Sequence, residues 1–511
     1  MQLELENRAI PAARFLLRKR FLLIAFLFIT ALSLRLYHID EPPLNFHATR
    51  QYRSLLIARG YYYESLPHLP GWKKQVARIN QLRQGILEPP VMEFLASIGF
   101  RIFGGERFWI PGSLSVMFWL IGGGFLYFIA KKIANANAAL FSTVFYLFLP
   151  FAVAASRSFQ PDPLMVMLLL ATILSILWHV EKPSLHRLLV VITLSASAIF
   201  VKPVSLFAIY TIYVLLTFDR QGIKKSITSP HFLGFFPITL LPTLGFYFYG
   251  ILFTGVLREQ ARSSFLPQIL LTRFFWQGWL NNINLVVGFT TLIGALLGLL
   301  MLRKGRPRVL LLGLWSGYAL FCLVFNYHIA THDYYHLQLV PIVALSLGPL
   351  AATIIERLED KNREWYEKAA VQSIFLLAIV LYIVTTRGLL ADHKNKTKVS
   401  VAEEIGRLVN HSTRTVYLDS DYGLPLEYHG EISGEPWPLV SDLEWERLAG
   451  EEILSAEDRY KAWFSRESPE YFIVTDLQEF EQQKDLEKYL TANYPLLVND
   501  ETYLIYALQQ E

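Results

Sequence analysis

Cysteine and charged residues are scarce in this sequence. Its 511 residues include one cysteine, and 18% are charged, against roughly 25% in soluble domains. A single cysteine excludes a disulfide within the chain, and Cys322 lies in an apolar segment, where packing is the ordinary role. The net charge of +4 comes without a lysine-rich run, which argues against a nucleic-acid partner.

Hydrophobic residues, by contrast, make up 53% of the chain. A helix that crosses the ~30 Å hydrocarbon core of a membrane needs about 20 mostly apolar residues, and this length predicts about eleven spans. The predicted spans are 20–38, 108–130, 136–154, 163–180, 186–200, 203–218, 231–253, 281–302, 308–325, 337–355 and 369–386. The chain is therefore expected to be an α-helical polytopic membrane protein.

The basic residues of the short loops give the orientation. Lys131-Lys132, Arg220 with Lys224-Lys225, and the run 303–308 all fall on the N-terminal side of the predicted membrane. The positive-inside rule then places the N-terminus in the cytoplasm, and an odd number of spans places the C-terminus outside.

The composition divides the chain into two predicted domains, a transmembrane domain over 1–389 and an extracytoplasmic α/β domain over 390–511. The first outer loop, 39–107, contains a half-apolar stretch that opens with Pro89-Pro90 and indicates a helix lying along the membrane interface. In the second domain, helical patterns alternate with strand-like runs, which predicts a mainly parallel sheet. The strand-like runs are 415–419, 471–476 and two short ones near 496–507, and the helical patterns are 399–410, 455–466 and 477–493.

The first outer loop carries the most polar stretch near the membrane, 45–59. If this stretch is helical, positions 47, 50, 51 and 54 share one face, with 53 beside them. His47, Arg50, Gln51 and Arg53 would then present cations and hydrogen-bond donors suited to a phosphate or pyrophosphate. The alternative is a basic juxtamembrane helix that contacts lipid head groups.

Four further polar segments fall on the same predicted outer side. They contain Asp162 (in 156–163), Lys202, Arg258 (in 254–280), and the run 326–336, which includes His332, Asp333 and Tyr335. Each has an ordinary explanation by itself. Asp162 could cap a helix, Lys202 could extend to the head groups, and the tyrosines could form an interfacial belt.

Histidines 328, 332 and 336 recur every four residues and would line one face if this run were helical. A metal site is therefore an alternative interpretation of the run. Taken together, however, a carboxylate, cations, histidines and tyrosines on one side of the membrane indicate a common site. Such a site suits a substrate with a phosphate head and a lipid tail that stays in the bilayer.

The same residues resemble the GT-C superfamily of polyprenyl-phosphate-sugar glycosyltransferases, in the branch of protein O-mannosyltransferases and the lipid A aminoarabinose transferase. The matching motifs, in order, are Leu34–Tyr37, Arg50-Gln51, Ile57–Arg59, Pro89-Pro90, Ser156-Arg157 with Pro161-Asp162, Lys202-Pro203, and His332–Tyr335 followed by Pro341. The resemblance covers about 40–390 and concerns the order and placement of the motifs as well as their residues.

The resemblance implies a GT-C-like fold and transfer of a hexose or pentose from a polyprenyl-phosphate carrier to an acceptor hydroxyl on the outer face. Relatives carry an acidic residue in the first outer loop as the catalytic base, whereas His47 falls near that place here. Asp162 and His47 are the expected bases. The expected phosphate- or substrate-binding residues are Arg50, Gln51, Arg53, Lys202, Arg258, His332, Asp333 and Tyr335.

The expected partners are the lipid-linked sugar, membrane lipids and a lipid, glycan or protein acceptor, with no nucleic acid. The expected location is a bacterial inner membrane, with the C-terminal domain in the periplasm. No cofactor is assigned, and a divalent metal stays open. The alternatives are a flippase of lipid-linked sugars, which predicts polar groups within span centres or broken helices in paired positions, and a non-catalytic scaffold with a partner-binding outer domain. The charges lie at span ends and no broken helices are expected, which favours the enzyme.

Overall fold

A computed structural model describes residues 20–85, 87–254, 266–302, 304–358, 364–390, 396–449, 452–464 and 468–509. It is mostly helical and contains one five-stranded sheet. Packing divides it into two compact units. The transmembrane unit comprises Met1–Asp40, Ile86–Val91 and Pro111–Ala391, and the α/β unit comprises Glu41–Gly85, Met92–Ile110 and Asp392–Glu511.

This division places most of the first outer loop with the C-terminal residues. The α/β unit resumes at Asp392, close to the predicted boundary at 390. The sequence prediction assigned the residues before 390 to the membrane and those after it to the outside. Packing does not test that assignment, so the two domains stay a prediction.

The helices up to residue 390 follow the chain in this order. They are α1 (20–36), α2 (Ala48–Glu64), α3 (Gly71–Arg83), α4 (Val91–Phe103), α5 (Trp109–Ile133), α6 (Ala136–Phe148), α7 (Pro150–Arg157), α8 (Asp162–Glu181), α9 (Leu185–Val201), α10 (Ser205–Gln221), α11 (Ile223–Ile227), α12 (Pro230–Tyr249), α13 (Arg273–Val286), α14 (Phe289–Met301), α15 (Arg306–Val324), α16 (Asn326–Thr331), α17 (Leu339–Leu358) and α18 (Trp365–Leu390). A π-helix, Gly250–Thr254, continues α12, and 3₁₀ helices span Pro267–Leu271 and Asp333–Gln338.

Within the described residues, five helices are long and apolar enough to cross a membrane, or up to seven if two bent pairs each count as one. The five are Trp109–Ile133, Asp162–Glu181, Pro230–Leu252, Arg306–Val324 and Asp333–Arg357. The shorter helix α9 and the segment Leu376–Gly388 are also apolar. A mostly helical fold with several apolar helices of membrane-spanning length is therefore confirmed, and the number of about eleven spans stays a prediction.

Two predicted spans are not single helices. The span predicted at 136–154 is the pair α6 and α7, bent by 62° at Leu149 and Pro150. Proline lacks the N–H that would continue the helical ladder. The span predicted at 281–302 is the pair α13 and α14, bent by 88° around Gly288, which has φ +79°. The expectation of no broken helices is therefore wrong.

The transmembrane unit is built around α8, which packs on α9 and α10, while α10 packs on α15. The 3₁₀ helix Asp333–Gln338 also contacts α8. This packing brings the N-terminus of α8, the end of α9 and the segment after α16 into one neighbourhood. Cys322 is buried in α15, consistent with a packing role.

The remaining helices and all described strands belong to the α/β unit, together with α2, α3 and nearly all of α4. The helices are α19 (Lys396–Leu408), α20 (Leu424–Gly430), α21 (Val440–Ala449), α22 (Ala456–Trp463), α23 (Leu477–Gln482) and α24 (Lys484–Asn493). The strands are β1 (Thr415–Leu418), β2 (Gly434–Pro436), β3 (Tyr471–Val474), β4 (Leu496–Asn499) and β5 (Leu504–Ala507).

The sheet has the strand order β2-β1-β3-β5-β4. β1 pairs parallel with β2 and β3, whereas β5 pairs antiparallel with β3 and β4. The sheet is therefore mixed and not mainly parallel, because β4 and β5 form a C-terminal hairpin at one edge. Alternate residues of each strand face opposite sides. Val416 and Phe472 belong to one apolar core, and Tyr417 and Ile473 belong to the other.

The predicted helix 477–493 is divided at Gln483 into α23 and α24. Trp437 Nε1 donates to Gln483 Oε1 over 2.8 Å, and Gln483 Nε2 donates to the Pro438 carbonyl over 2.9 Å. The Gln483 side chain therefore connects the junction of α23 and α24 to the segment that follows β2.

Candidate functional site

The transmembrane unit contains a buried ion pair between two predicted site residues. Lys202 follows the last residue of α9, and its Nζ donates to both carboxylate oxygens of Asp162 over 2.8 Å. Lys202 is 1% exposed and Asp162 is 3% exposed. Removing charges from water is costly unless they are paired and hydrogen-bonded, so this geometry holds both groups in place.

The local backbone explains how the pair forms. Pro203 prevents α9 from continuing, and Lys202 has the extended angles φ −152° and ψ 110°. Asp162 is the first residue of α8, where no side chain makes a capping bond. Asp162 therefore serves as the partner of Lys202 and not as a cap, and burial shows that Lys202 does not extend toward head groups.

Glu88 and two tyrosines complete the surroundings of this lysine. Glu88 Oε1 lies 3.8 Å from Lys202 Nζ. The ring centres of Tyr335 and Tyr334 lie 4.9 and 5.6 Å from the same nitrogen, within cation–π range. We call Glu88, Asp162, Lys202, Tyr334 and Tyr335 the Lys202 cluster. Glu88 was not among the predicted site residues, although a carboxylate directly before Pro89-Pro90 was a usable signal.

The aromatic side of the cluster extends through the 326–336 run. The His328 and Tyr335 rings stack with their centres 5.0 Å apart and their planes at 4°. The His332 ring centre lies 5.8 Å from that of His328 and 6.0 Å from that of Tyr335. The predicted residues His332 and Tyr335 are thus brought together, and Tyr335 lies beside Lys202. His328 was missed as a stacking partner.

The helical interpretation of the three histidines is wrong, because α16 ends at Thr331 and His332 is extended. His336 is buried, with its nitrogens bonded to the Tyr318 hydroxyl over 2.5 Å and to the Ile329 carbonyl over 2.9 Å. Those bonds fix His336 in a packing role. Within the part of the chain that the structure describes, no three His, Cys, Asp or Glu residues are arranged to hold a metal ion.

The predicted residues of the first outer loop lie in the α/β unit. His47 is the N-cap of α2 with φ 49°, so it precedes the helix and does not share a helical face with Arg50. Gln51 Nε2 donates to the Phe46 carbonyl over 2.7 Å, and Arg53 donates to the carbonyls of Gln84 and Gly85 over 3.1 and 2.6 Å. Gln51 and Arg53 therefore anchor neighbouring backbone.

Arg50 lies in the first turn of α2 and is half-buried, and Arg258 lies outside the described residues.

A carboxylate that the sequence analysis did not single out, Asp421, lies near the start of α2. Thr49 Oγ1 donates to Asp421 Oδ1 over 3.4 Å, and Lys398 Nζ lies 3.6 Å from Asp421 Oδ2. Burial raises the pKa of Asp421 above its ordinary value. Only the fold brings residues 49 and 421 together, so no sequence signal was available.

Residues 87–246 match the family of dolichyl-phosphate-mannose-protein mannosyltransferases. The structure is similar to that of ArnT from Cupriavidus metallidurans bound to undecaprenyl phosphate, with a TM-score of 0.62, 12% identity and coverage of 95% of this chain and 98% of that chain. It is also similar to the Archaeoglobus fulgidus oligosaccharyltransferase, with a TM-score of 0.56, 11% identity and coverage of 96% and 74%. No curated protein matches the sequence.

The chain has a GT-C fold. At 11–13% identity the solved structures establish the fold alone. The stretch that matches the mannosyltransferase family includes Glu88, Asp162 and Lys202. Three members of the Lys202 cluster therefore lie within the matched range. The predicted resemblance is confirmed, and the roles of the individual residues stay predictions.

Proposed function

We propose that this GT-C protein transfers a hexose or pentose from a polyprenyl-phosphate carrier to an acceptor hydroxyl on the outer face of a bacterial inner membrane. The fold and the mannosyltransferase family match support a transferase that uses such a carrier. One similar structure holds undecaprenyl phosphate, and another holds a dolichol-phosphate with an inhibitory peptide. The proposed topology keeps about eleven spans, a cytoplasmic N-terminus and an extracytoplasmic C-terminal domain.

The observation that carries the proposal is the burial of Lys202 between two carboxylates and beneath tyrosine rings. Fixed charges in an apolar setting stabilise developing charge without rearranging during the reaction. Lys202, Asp162 and Glu88 together carry one more negative than positive charge. This balance suits contact with an acceptor hydroxyl and the sugar. Arg50 and Arg258 remain proposed cations for the lipid phosphate, whereas the two backbone bonds of Arg53 assign it an anchoring role.

In the proposed step, the acceptor oxygen forms a bond to the anomeric carbon as the bond from that carbon to the phosphate oxygen breaks. The acceptor proton passes to a protein base, and polyprenyl phosphate leaves with the electron pair. Asp162 and Glu88 are the candidate bases of the transmembrane unit. His47 and Asp421 are the candidates of the α/β unit, and the raised pKa of Asp421 suits proton acceptance.

The test is sugar transfer in proteoliposomes that contain the full chain. The donors are radiolabelled mannosyl and aminoarabinosyl undecaprenyl phosphate in separate arms, and membrane extract from a strain lacking the protein supplies acceptors. We expect Lys202→Met to lower transfer by about 100-fold or more, a typical loss for a preorganised electrostatic group.

The matched control is Lys132→Met, which removes another paired lysine. Lys132 Nζ lies 2.7 Å from Glu181, and its side chain is 35% exposed. The control should retain transfer within about twofold, as expected for an exposed pair. A folded Lys202→Met protein that transfers sugar as well as this control contradicts the proposed site. If Lys202→Met loses transfer as expected, the base is identified by four single variants. These are Asp162→Asn, Glu88→Gln, His47→Gln and Asp421→Asn.

A flippase of lipid-linked sugars is the second candidate, because bent helix pairs are typical of transporters. The two bends, at Leu149-Pro150 and around Gly288, are the observation that favours it. A flippase predicts movement of the labelled lipid across the bilayer without release of polyprenyl phosphate. Release of polyprenyl phosphate in step with acceptor labelling identifies the transferase.

A further inference from the structure

A polar cavity of about 320 Å³ lies at the opposite end of α8 from Asp162. Its polar lining includes residues at the ends of four helices, namely His179, Ser184, Arg220, Gln221, Ser229 and His231, together with Tyr213 and Thr217 of α10. His179 follows Asp162 by seventeen residues on the same helix, which corresponds to about 26 Å at 1.5 Å per residue. The cavity is therefore separate from the Lys202 cluster.

The partial charges of the helix ends around this cavity largely cancel one another. Ser184 and Ser229 are the N-caps of α9 and α12, and N-termini carry partial positive charge. His179 and Arg220 lie in the last turns of α8 and α10, whose C-termini carry partial negative charge. The side chains therefore determine the sign of the potential in the cavity.

Those side chains favour an anion. Arg220 and two histidines line the cavity, and its lining residues include no carboxylate. The neighbouring carboxylates face other cations, since Asp219 lies 3.9 Å from Arg306 and Glu181 lies 2.7 Å from Lys132. The basic residues Lys224 and Lys225 follow in α11 and are exposed.

One of the lining residues has a nitrogen without a hydrogen-bond partner in the described part of the chain. The Nδ1 atom of His179 is buried and has no hydrogen-bond partner within the described residues. A buried polar atom without a partner costs free energy, and a bound ligand would remove that cost. The guanidinium of Arg220 presents a planar set of donors that matches phosphate oxygens.

From these observations we infer that this cavity binds a phosphate group, either of an anionic membrane lipid or of a small soluble phosphate. Its volume lies at the lower end of the range for ligand pockets and accommodates a head group. Apolar side chains, including Leu185, Leu188 and Phe232, line the same cavity and are suited to the start of an acyl chain. Basic pockets between membrane helices recognise lipid head groups in this way.

The test is native mass spectrometry of the full chain in detergent with phosphatidylglycerol or phosphatidylcholine, and in parallel the shift in melting temperature with inorganic phosphate. We expect retention of phosphatidylglycerol over phosphatidylcholine, and a loss of at least about fivefold in Arg220→Gln. His231→Gln should act in the same direction. Binding of inorganic phosphate without phosphatidylglycerol retention identifies the soluble source.

The matched control is Lys224→Gln, which removes one positive charge from a nearby helix that does not line the cavity. It should change retention by less than about twofold, because Lys224 is not among the residues that line the cavity. Equal losses in Arg220→Gln and Lys224→Gln overturn the site, since the effect would then come from overall charge. Failure of the wild-type chain to retain either phosphate probe also overturns it.

Discussion

The guanidinium carbon of Arg59 lies 3.5 Å from the centre of the Tyr428 ring. Arg59 also donates from Nη1 to the Tyr428 carbonyl over 2.6 Å and from Nε to Glu106 over 2.9 Å. One side chain of α2 therefore joins two segments of the α/β unit, one just before α5 and one in α20. The Ile57-Ala58-Arg59 motif thus has a structural role within this unit.

Replacing Arg59 by methionine should destabilise the α/β unit by about 3–5 kcal/mol, because Glu106 would lose the cation that compensates its burial. Hydrogen exchange measured on peptides over 424–430 in the full chain should show faster exchange in α20. The matched control is Arg83→Met, since Arg83 pairs with the more exposed Glu435. Its effect should stay below about 1 kcal/mol. Equal exchange in both variants contradicts this role of Arg59.

The Lys202–Asp162 pair allows stability to be separated from activity. Lys202→Met leaves a buried carboxylate without its ammonium, and breaking such a pair typically costs about 3–5 kcal/mol. Combining Lys202→Met with Asp162→Leu removes both charges and should restore much of the melting temperature in detergent. Sugar transfer should stay lost in the double variant. Recovery of transfer together with stability means that the pair is a packing feature only.

Glu427 should give the α/β unit a pH-dependent stability. Burial raises the pKa of Glu427 to about 8. The hydrogen bond that Tyr417 donates to Glu427 and the positive charge of Arg83 lower this pKa and offset part of the effect of burial. The folded state therefore binds this proton more tightly than the unfolded state, whose ordinary value is 4.5. Its stabilising contribution is complete below pH ~4.5 and is lost as the pH rises through about 8.

The measurement is hydrogen exchange at α20 in the full chain between pH 5 and 8.5, corrected for the intrinsic exchange rate. The free energy of opening should fall with pH in the wild type, and Glu427→Gln should flatten this slope. The neighbouring Glu435→Gln removes only the smallest of the contributions to this pKa shift and should keep most of the slope. A slope that persists in Glu427→Gln assigns the effect to another group.

The sequence predicts elements better than it predicts contacts. Apolar length and loop charges locate α5, α8, α12 and α15, since a helix in a membrane must satisfy its backbone internally and be apolar over its whole length. The bend around Gly288 was missed because the apolar run continues through it. The edge strand β2 was missed because three residues carry little periodicity.

The candidate site shows the same limit. Asp162 and Lys202 were predicted from polar residues at span ends, and the structure places them in contact. Their neighbour Glu88 was not predicted, because its distance from Lys202 depends on tertiary packing. His47 was assigned to a helical face, yet its positive φ places it before α2. Pattern arguments cannot anticipate a left-handed residue that is not glycine.

Close helix packing supplies the last prediction. A Cβ atom added at Gly317 of α15 would lie 2.6 Å from the Ala208 Cα of α10, so one backbone would have to move. Gly317→Ala should therefore lower the melting temperature in detergent, with a loss of about 1–3 kcal/mol as for other overpacked cores. Gly124→Ala in α5 is the control, since nothing lies within 4 Å of its added Cβ. It should be neutral or stabilising, because alanine is the better helix former. A neutral Gly317→Ala contradicts direct backbone contact between α10 and α15.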